Sequence, residues 1–332
     1  MTAKSTVLVI GSNSFSGSDF IDLLLEDGAR SVIGVSRSPE KSPVFLRYKR
    51  RRDPDFEFHR LDLNKDLPRL VDLMRSRRPD YVVNFAAQSE VAPSWENPQQ
   101  WFQTNAVAVT GLAHALKDLK FLKKYVHISS PEVYGACVGT VREDAPLNPS
   151  TPYAASKAAG DLSLFTYVKN FGLPVVMIRS TNVYGAHQQL FKIIPRSVIN
   201  LRLGRKIELH GGGAAVKSYI HIRDVSRGEL AAMEHGQNGL IYHLSPEQGV
   251  SVRNVVRLIC ERLGREFNDC VMSVPERLGQ DAAYVIDSSL ARARLGWRPG
   301  MSIESGLREV IDWIDRSWEE IKVLPHHYVH QP

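Results

Sequence analysis

Short β-branched runs alternate with amphipathic stretches through the first half of the chain, and no other feature constrains the fold as much. The runs STVLVIG (5–11), SVIGV (31–35), FEFHRL (56–61), DYVVNF (80–85), KYVHIS (124–129) and PVVMIR (174–179) have strand length. Between them, helical spacing of apolar residues covers Phe15–Glu26, Leu67–Arg77, Gln99–Leu119 and Tyr153–Asn170. Strand, helix and strand in repetition is the βαβ unit, and six such strands predict a doubly wound parallel sheet. After Asn182 the rhythm changes to short strands around KIELHG and KSYIHI, with further helices. The run GLIYHL (239–244) is continuous enough to rejoin the main sheet.

This pattern predicts a dinucleotide-binding domain over 1–181, with a returning segment near 216–247. A smaller mixed α/β cap domain over 182–332 completes it, with a ligand in the crevice between. Of 332 residues, 43% are hydrophobic and 23% charged, the balance of a globular enzyme. No apolar run is long enough to span a membrane, and MTAKSTVLVIGS lacks the apolar core of a secretory signal. Three cysteines without metal-ligand spacing point to a reduced compartment, so the cytoplasm is expected and no metal site. The net charge of +6 suits a mildly basic surface or an anionic ligand. The single basic run YKRRRDP (48–54) carries no reading motif, so no nucleic-acid partner is expected.

The first strand runs into GSNSFSG (11–17), and Phe15 opens a helix. Gly11 and Gly17 allow a tight turn and a close helix–sheet approach, and the helix N-terminus offers N–H groups to a pyrophosphate. The arrangement is Rossmann-type, with Ser14 where a third glycine is usual. About 20 residues on, where an acidic residue would hold the 2′-hydroxyl of NAD, stand Ser36 and Arg37, with Lys41 nearby. A guanidinium suits a 2′-phosphate, so NADP is preferred over NAD. Asp62 and Leu63, at the end of the third strand, fall near the adenine.

Tyr153 and Lys157, four apart in TPYAASKAAGDL, share one helix face. There the ammonium can lower the phenol's pKa and hold a cofactor ribose. Ser130, from the loop after the fifth strand, can hold the same substrate oxygen. Together they can take a proton from an alcohol while its hydride leaves for nicotinamide.

These residues stand with NFAAQSEVAPSWENPQQWFQTNAV (84–107), SSPEVYG (129–135), RSTNVYG (179–185), KIIP (192–195) and ERLGQDAAYVID (276–287). In that order and spacing the chain resembles the extended short-chain dehydrogenase/reductases, most of all the nucleotide-sugar 4,6-dehydratase/epimerase family. The resemblance implies that Ala86 and Ala87 line the cofactor and that Asn105 braces the central helix. It makes Ser130, Tyr153 and Lys157 the catalytic set and Glu132 the base that removes the C5 proton once C4 is a ketone. It places Gln88, Ser89, Glu90, Asn182, Lys192, Lys217, Arg277 and Gln280 around the diphosphate and sugar, with His210 and His221 near the nucleotide. Two lysines and an arginine in a cap are in any case a reasonable diphosphate clamp. The implied substrate is a nucleotide-diphosphate hexose, and the implied assembly a homodimer through the Tyr153 helix and the one spanning 99–119.

Four positions depart from the family pattern besides Ser14. Lys217 replaces an arginine, and Glu90 and Gln280 replace other residues. Pro131 replaces the aspartic acid that protonates the leaving C6 hydroxyl. A placed general acid is worth roughly 10²–10⁴-fold. Three enzymatic readings follow. Dehydration persists, with Glu132 delivering the proton itself or with help from water or His187; or Glu132 drives epimerisation; or the chain is an NADPH-dependent 4-keto-sugar reductase. Retention of a carbon-acid base and the RLGQD segment favour the dehydratase. Intact Ser130, Tyr153 and Lys157 argue against a non-catalytic NADP-binding sensor.

Overall fold

The computed structural model describes residues 4–136, 140–275 and 283–331. Its centre is one seven-stranded sheet. The strands β1 (Ser5–Ile10), β2 (Arg30–Ser36), β3 (Phe56–Arg60), β4 (Tyr81–Asn84), β5 (Lys124–Ile128) and β6 (Val175–Ser180) are joined by Ile241–Leu244 at one edge. The order is β3-β2-β1-β4-β5-β6 and then Ile241–Leu244, parallel at every pairing. The order reverses between β1 and β4, so a crevice opens beyond the carboxyl ends of those strands.

Alternation along each strand explains why the sheet is covered on both faces. Val7, Val9, Val176 and Ile178 point to one side, where they pack with Phe20 and Ile21 of the first helix and Met233 of helix Ile222–His235. Leu8, Ile10, Val175 and Met177 point to the other, against Leu70, Leu112 and Leu164 of three further helices. The predicted helices at Leu67–Arg77 and around Tyr153 form, the latter as Pro152–Phe171. The predicted helix 99–119 is interrupted by a π-helical turn at Gln103–Val107.

A separate apolar cluster gathers Ile194, Val198, Ile259, Leu307 and Val310 from helices Ile193–Arg202, Val252–Arg262 and Ile303–Arg316, with Tyr184 from the strand Asn182–Tyr184. Residues further on return to the sheet: Ala291 and Trp297 join the cluster around the first helix, and the Trp297 indole donates to the Asp224 carbonyl at 2.8 Å. The basic run also has an internal purpose. Arg50 clasps buried Asp22 with two hydrogen bonds of 2.9 and 2.7 Å, and Arg47 reaches Asp19 and Glu309. Among the described residues no helix is long and apolar enough to cross a membrane.

Candidate active site

Gly11 sits at the end of β1 with φ +86°, and a side chain there would strike the Ala86 nitrogen at 2.7 Å. One on Gly17 would meet the Gly11 carbonyl at 2.4 Å. Ser14, in place of a glycine, caps the first helix by accepting from the Gly17 N–H at 3.0 Å. Its hydroxyl thus satisfies one first-turn donor, while the helix end still presents N–H groups outward. The Asn13 N–H donates to Ser36 Oγ at 2.9 Å and its amide donates to the carbonyls of Ser38 and Pro39. Asn13 Oδ1 is buried without a partner among the described residues, against a cavity also lined by Gly11, Arg37, Asp62, Leu63, Ala86 and Ala87. A glycine turn, an outward helix end and an orphaned acceptor fit a dinucleotide's phosphates and ribose hydroxyls. Lys41 lines the same cavity, and burial together with the Arg37 charge holds its ammonium below the ordinary lysine range.

Ser14, Ala87 and Ser89 also line a second cavity of about 370 Å³, so the two adjoin. It brings together Ser130, Glu132, Tyr153 and Lys157. Ser130 caps the short turn Pro131–Tyr134, its Oγ accepting from the Glu132 N–H at 3.2 Å. Pro131 occupies the first position of that turn, where an N–H is expendable and a fixed φ helps. The proline therefore serves a structural purpose: it starts the turn that carries Glu132. Thr151 and Pro152 play the same parts for the Tyr153 helix, Thr151 Oγ1 accepting from Ala154 at 3.1 Å.

The electrostatics differ from the sequence expectation. Burial pushes the Tyr153 phenol well above its ordinary value, the Glu132 carboxylate pushes it further, and a hydrogen bond with Ser130 opposes both. The expected lowering by Lys157 has no part in the shift. Lys157 donates to the Ile128 carbonyl at 2.7 Å, and burial brings its ammonium down to about 8, with Asp161 opposing and Arg179 adding. Behind it, Arg179 pairs with Asp161 at 2.7 Å, Ser129 donates to the same carboxylate at 2.6 Å, and Arg179 also donates to the Tyr134 hydroxyl.

Beyond the catalytic group, Asn182, Lys192 and Lys217 line both this cavity and an outer one that holds His210. The Lys192 ammonium lies 2.8 and 3.0 Å from the two oxygens of Glu90. Gln88 lines the cavity of Gly11, Arg37 and Asp62 and not that of Tyr153, with its backbone bonded to the Asn105 side chain. Asn105 is fully buried in the π turn and also donates to Ser156 at 2.9 Å, so it braces the Tyr153 helix without lining a cavity. Two expectations are corrected. His221 is buried away from the groove, its Nε2 2.9 Å from Glu309 and its Nδ1 accepting from the Arg223 N–H. His187 Nδ1 donates to the Val44 carbonyl at 2.8 Å and its ring packs near Trp313, outside the catalytic cavity. Arg277 and Gln280 lie outside the described residues. Asn13, Thr181, Gln189, Tyr219 and Gln331 line the groove without having been singled out in the sequence. No cluster of three or more metal-ligating side chains occurs among the described residues.

With this geometry, residues 8–310 match the family described as GDP-mannose 4,6 dehydratase. A dTDP-glucose 4,6-dehydratase of Streptomyces antibioticus is 32% identical over 333 residues, covering 96% of each chain. A trifunctional UDP-glucose 4,6-dehydratase/UDP-4-keto-6-deoxy-D-glucose 3,5-epimerase/UDP-4-keto-L-rhamnose-reductase of Arabidopsis thaliana is 30% identical over 284 residues. That match takes in 82% of this chain and 42% of the longer plant protein. The crystal structure of a dTDP-glucose 4,6-dehydratase from Streptomyces venezuelae, with NAD bound, is similar with a TM-score of 0.87 at 31% identity. The likeness covers 94% of this chain and 98% of that one.

Proposed function

Because the chain belongs to the GDP-mannose 4,6 dehydratase family, we propose that it is an NAD(P)-dependent 4,6-dehydratase of a nucleotide-diphosphate hexose. One observation carries this reading: Glu132 shares a cavity with Ser130, Tyr153 and Lys157, close enough for its charge to raise the Tyr153 phenol. A carboxylate beside the alcohol-oxidising set is what removal of a proton next to a ketone requires, and simple ketone reduction does not.

The residues act as follows. Ser130 donates to the C4 oxygen, Lys157 favours the phenolate form of Tyr153, and that phenolate takes the C4 hydroxyl proton and becomes the phenol. A dinucleotide held along Gly11, Asn13 and the end of the first helix would supply a hydride acceptor for C4 and a hydride donor for C6, with C5 taking its new proton from solvent. Glu132 takes the C5 proton, whose carbanion is delocalised onto the C4 oxygen held by Ser130 and Tyr153. With Pro131 carrying no acid and His187 turned away, the protonated Glu132 is left to pass its proton to the departing C6 oxygen on the same face. Lys192 and Lys217 hold the diphosphate.

The epimerase reading stands second, favoured by Pro131, since epimerisation needs the base and no leaving-group acid. A ketoreductase leaves Glu132 without a proton to remove. NADP is the proposed cofactor form, supported by the mutual repulsion of Arg37 and Lys41, which a 2′-phosphate relieves. Residues 1–181 with the 216–247 return form the dinucleotide part in this reading, and the rest of 182–332 the sugar-binding cap. A homodimer is supported by exposed Phe102, Val107 and Leu162 on the two helices expected at the interface. A cytoplasmic site is supported by two buried, unbridged thiols, Cys260 and Cys270.

Incubation with UDP-, GDP-, CDP- and dTDP-hexoses in deuterated water, read by mass, tests the reading. Loss of water with one deuterium retained is the dehydratase result, and deuterium without water loss is the epimerase result. Stoichiometric consumption of added NADPH overturns both in favour of the reductase.

A further inference from the structure

The adenosine end of the groove is crossed by a segment with no role in the account so far. After the short helix Trp318–Ile321, residues 325–331 run back across the molecule. The Tyr328 ring meets Phe191 edge-on, centroids 5.3 Å apart, beside Lys192. His330 stacks on buried Trp101 at 5.4 Å with planes 11° apart. Its Nε2 lies 2.6 Å from the Gln100 side-chain Oε1 and its Nδ1 2.9 Å from the Tyr328 hydroxyl. Only an acceptor faces Nε2, so that nitrogen carries the hydrogen and the phenol donates to Nδ1.

Gln331 then drops into the groove. Its carbonyl oxygen accepts from Arg37 Nη2 and from Gln88 Nε2, each at 2.9 Å. Arg37 follows β2 and Gln88 follows β4, so one carbonyl joins opposite banks of the crevice. Gln331 lines the same cavity as Lys41 and Asp62.

We propose that residues 326–331 are a part of the cofactor site, a clamp that closes over the adenosine end of the groove and slows departure of the dinucleotide. The inference rests on the reading that this groove holds NAD or NADP. Two ring contacts and a few hydrogen bonds anchor a segment without helix or sheet, so it can open locally while the sheet stays folded. A reaction in which one dinucleotide both accepts and returns the hydride benefits from such retention, since release between the two transfers strands the intermediate.

The test uses the whole protein, the double variant Tyr328→Ala/His330→Ala, and a chain truncated after Pro325. Each is loaded with NADH or NADPH and chased with excess unlabelled oxidised cofactor, following nicotinamide fluorescence. The clamp requires dissociation at least about tenfold faster in both variants, with association changed far less. Thermal midpoints measured without cofactor should match the parent, while the gain on adding cofactor shrinks. Unchanged dissociation overturns the proposal. So does slower dissociation, which makes the segment a plug competing for the groove. Failure of the intact protein to bind either dinucleotide overturns the underlying reading, and the clamp with it.

Discussion

Lys192 sets its ammonium between both carboxylate oxygens of Glu90, at 2.8 and 3.0 Å, within the cavity that holds Tyr153. The acid neutralises a cation that this reading assigns to a diphosphate. Glu90→Gln therefore lowers KM for the nucleotide sugar by roughly 2–5-fold, the scale of one partly exposed ion pair. Steady-state kinetics at low and high salt check it: the gain belongs to KM and fades as salt screens it.

Asp161 and Arg179 form a buried pair 2.7 Å apart behind Lys157. Asp161→Asn leaves the guanidinium uncompensated, and the expected loss is about 3–5 kcal/mol in urea unfolding. Asp161→Leu with Arg179→Met removes both charges and recovers most of it.

Lys157→Met trades activity for stability. Below pH 8 the lysine is protonated in both folded and unfolded chains, and the fold bears the full desolvation penalty. Between about 8 and its ordinary 10.5 the folded chain gives up the proton first, so wild-type stability rises with pH across that window. The variant is more stable by about 3 kcal/mol at pH 7, an advantage that vanishes near pH 10.5. Denaturant midpoints at pH 7 and 10 check it, with turnover lost in the same protein.

Glu229 is buried in helix Ile222–His235 with neither oxygen partnered among the described residues. Burial, with Asp19 nearby, raises its carboxyl well above the usual range. The unfolded chain ionises this group near 4.5 while the fold keeps the proton, so native stability falls as pH rises through that interval. Glu229→Met removes the penalty, and its gain in thermal midpoint is larger at pH 8 than at pH 5.

The sheet was legible because most of its strands are β-branched runs and because Val7/Val9 and Leu8/Ile10 face two different cores. The meeting of Ser130, Glu132, Tyr153 and Lys157 in one cavity was legible because they come from two local motifs, each with its own cap. What the sequence hid depends on contacts between distant segments. His221 ends the strand Tyr219–His221, yet its partner is Glu309, far along the chain. The Gln331 contact with Arg37 spans 294 positions and carries no periodicity. The purpose of Pro131 became legible only with the turn it starts.

Glu132→Gln in deuterated water tests the central claim most directly. Wild type and variant are incubated with the hexose nucleotide that the wild type dehydrates, and deuterium at C5 and water loss are followed by mass. The account requires the variant to lose solvent exchange at C5 and dehydration together, by at least about 10²-fold, while still binding the nucleotide sugar. Exchange and water loss at wild-type rates in the variant contradict it, because the C5 proton then leaves by another group.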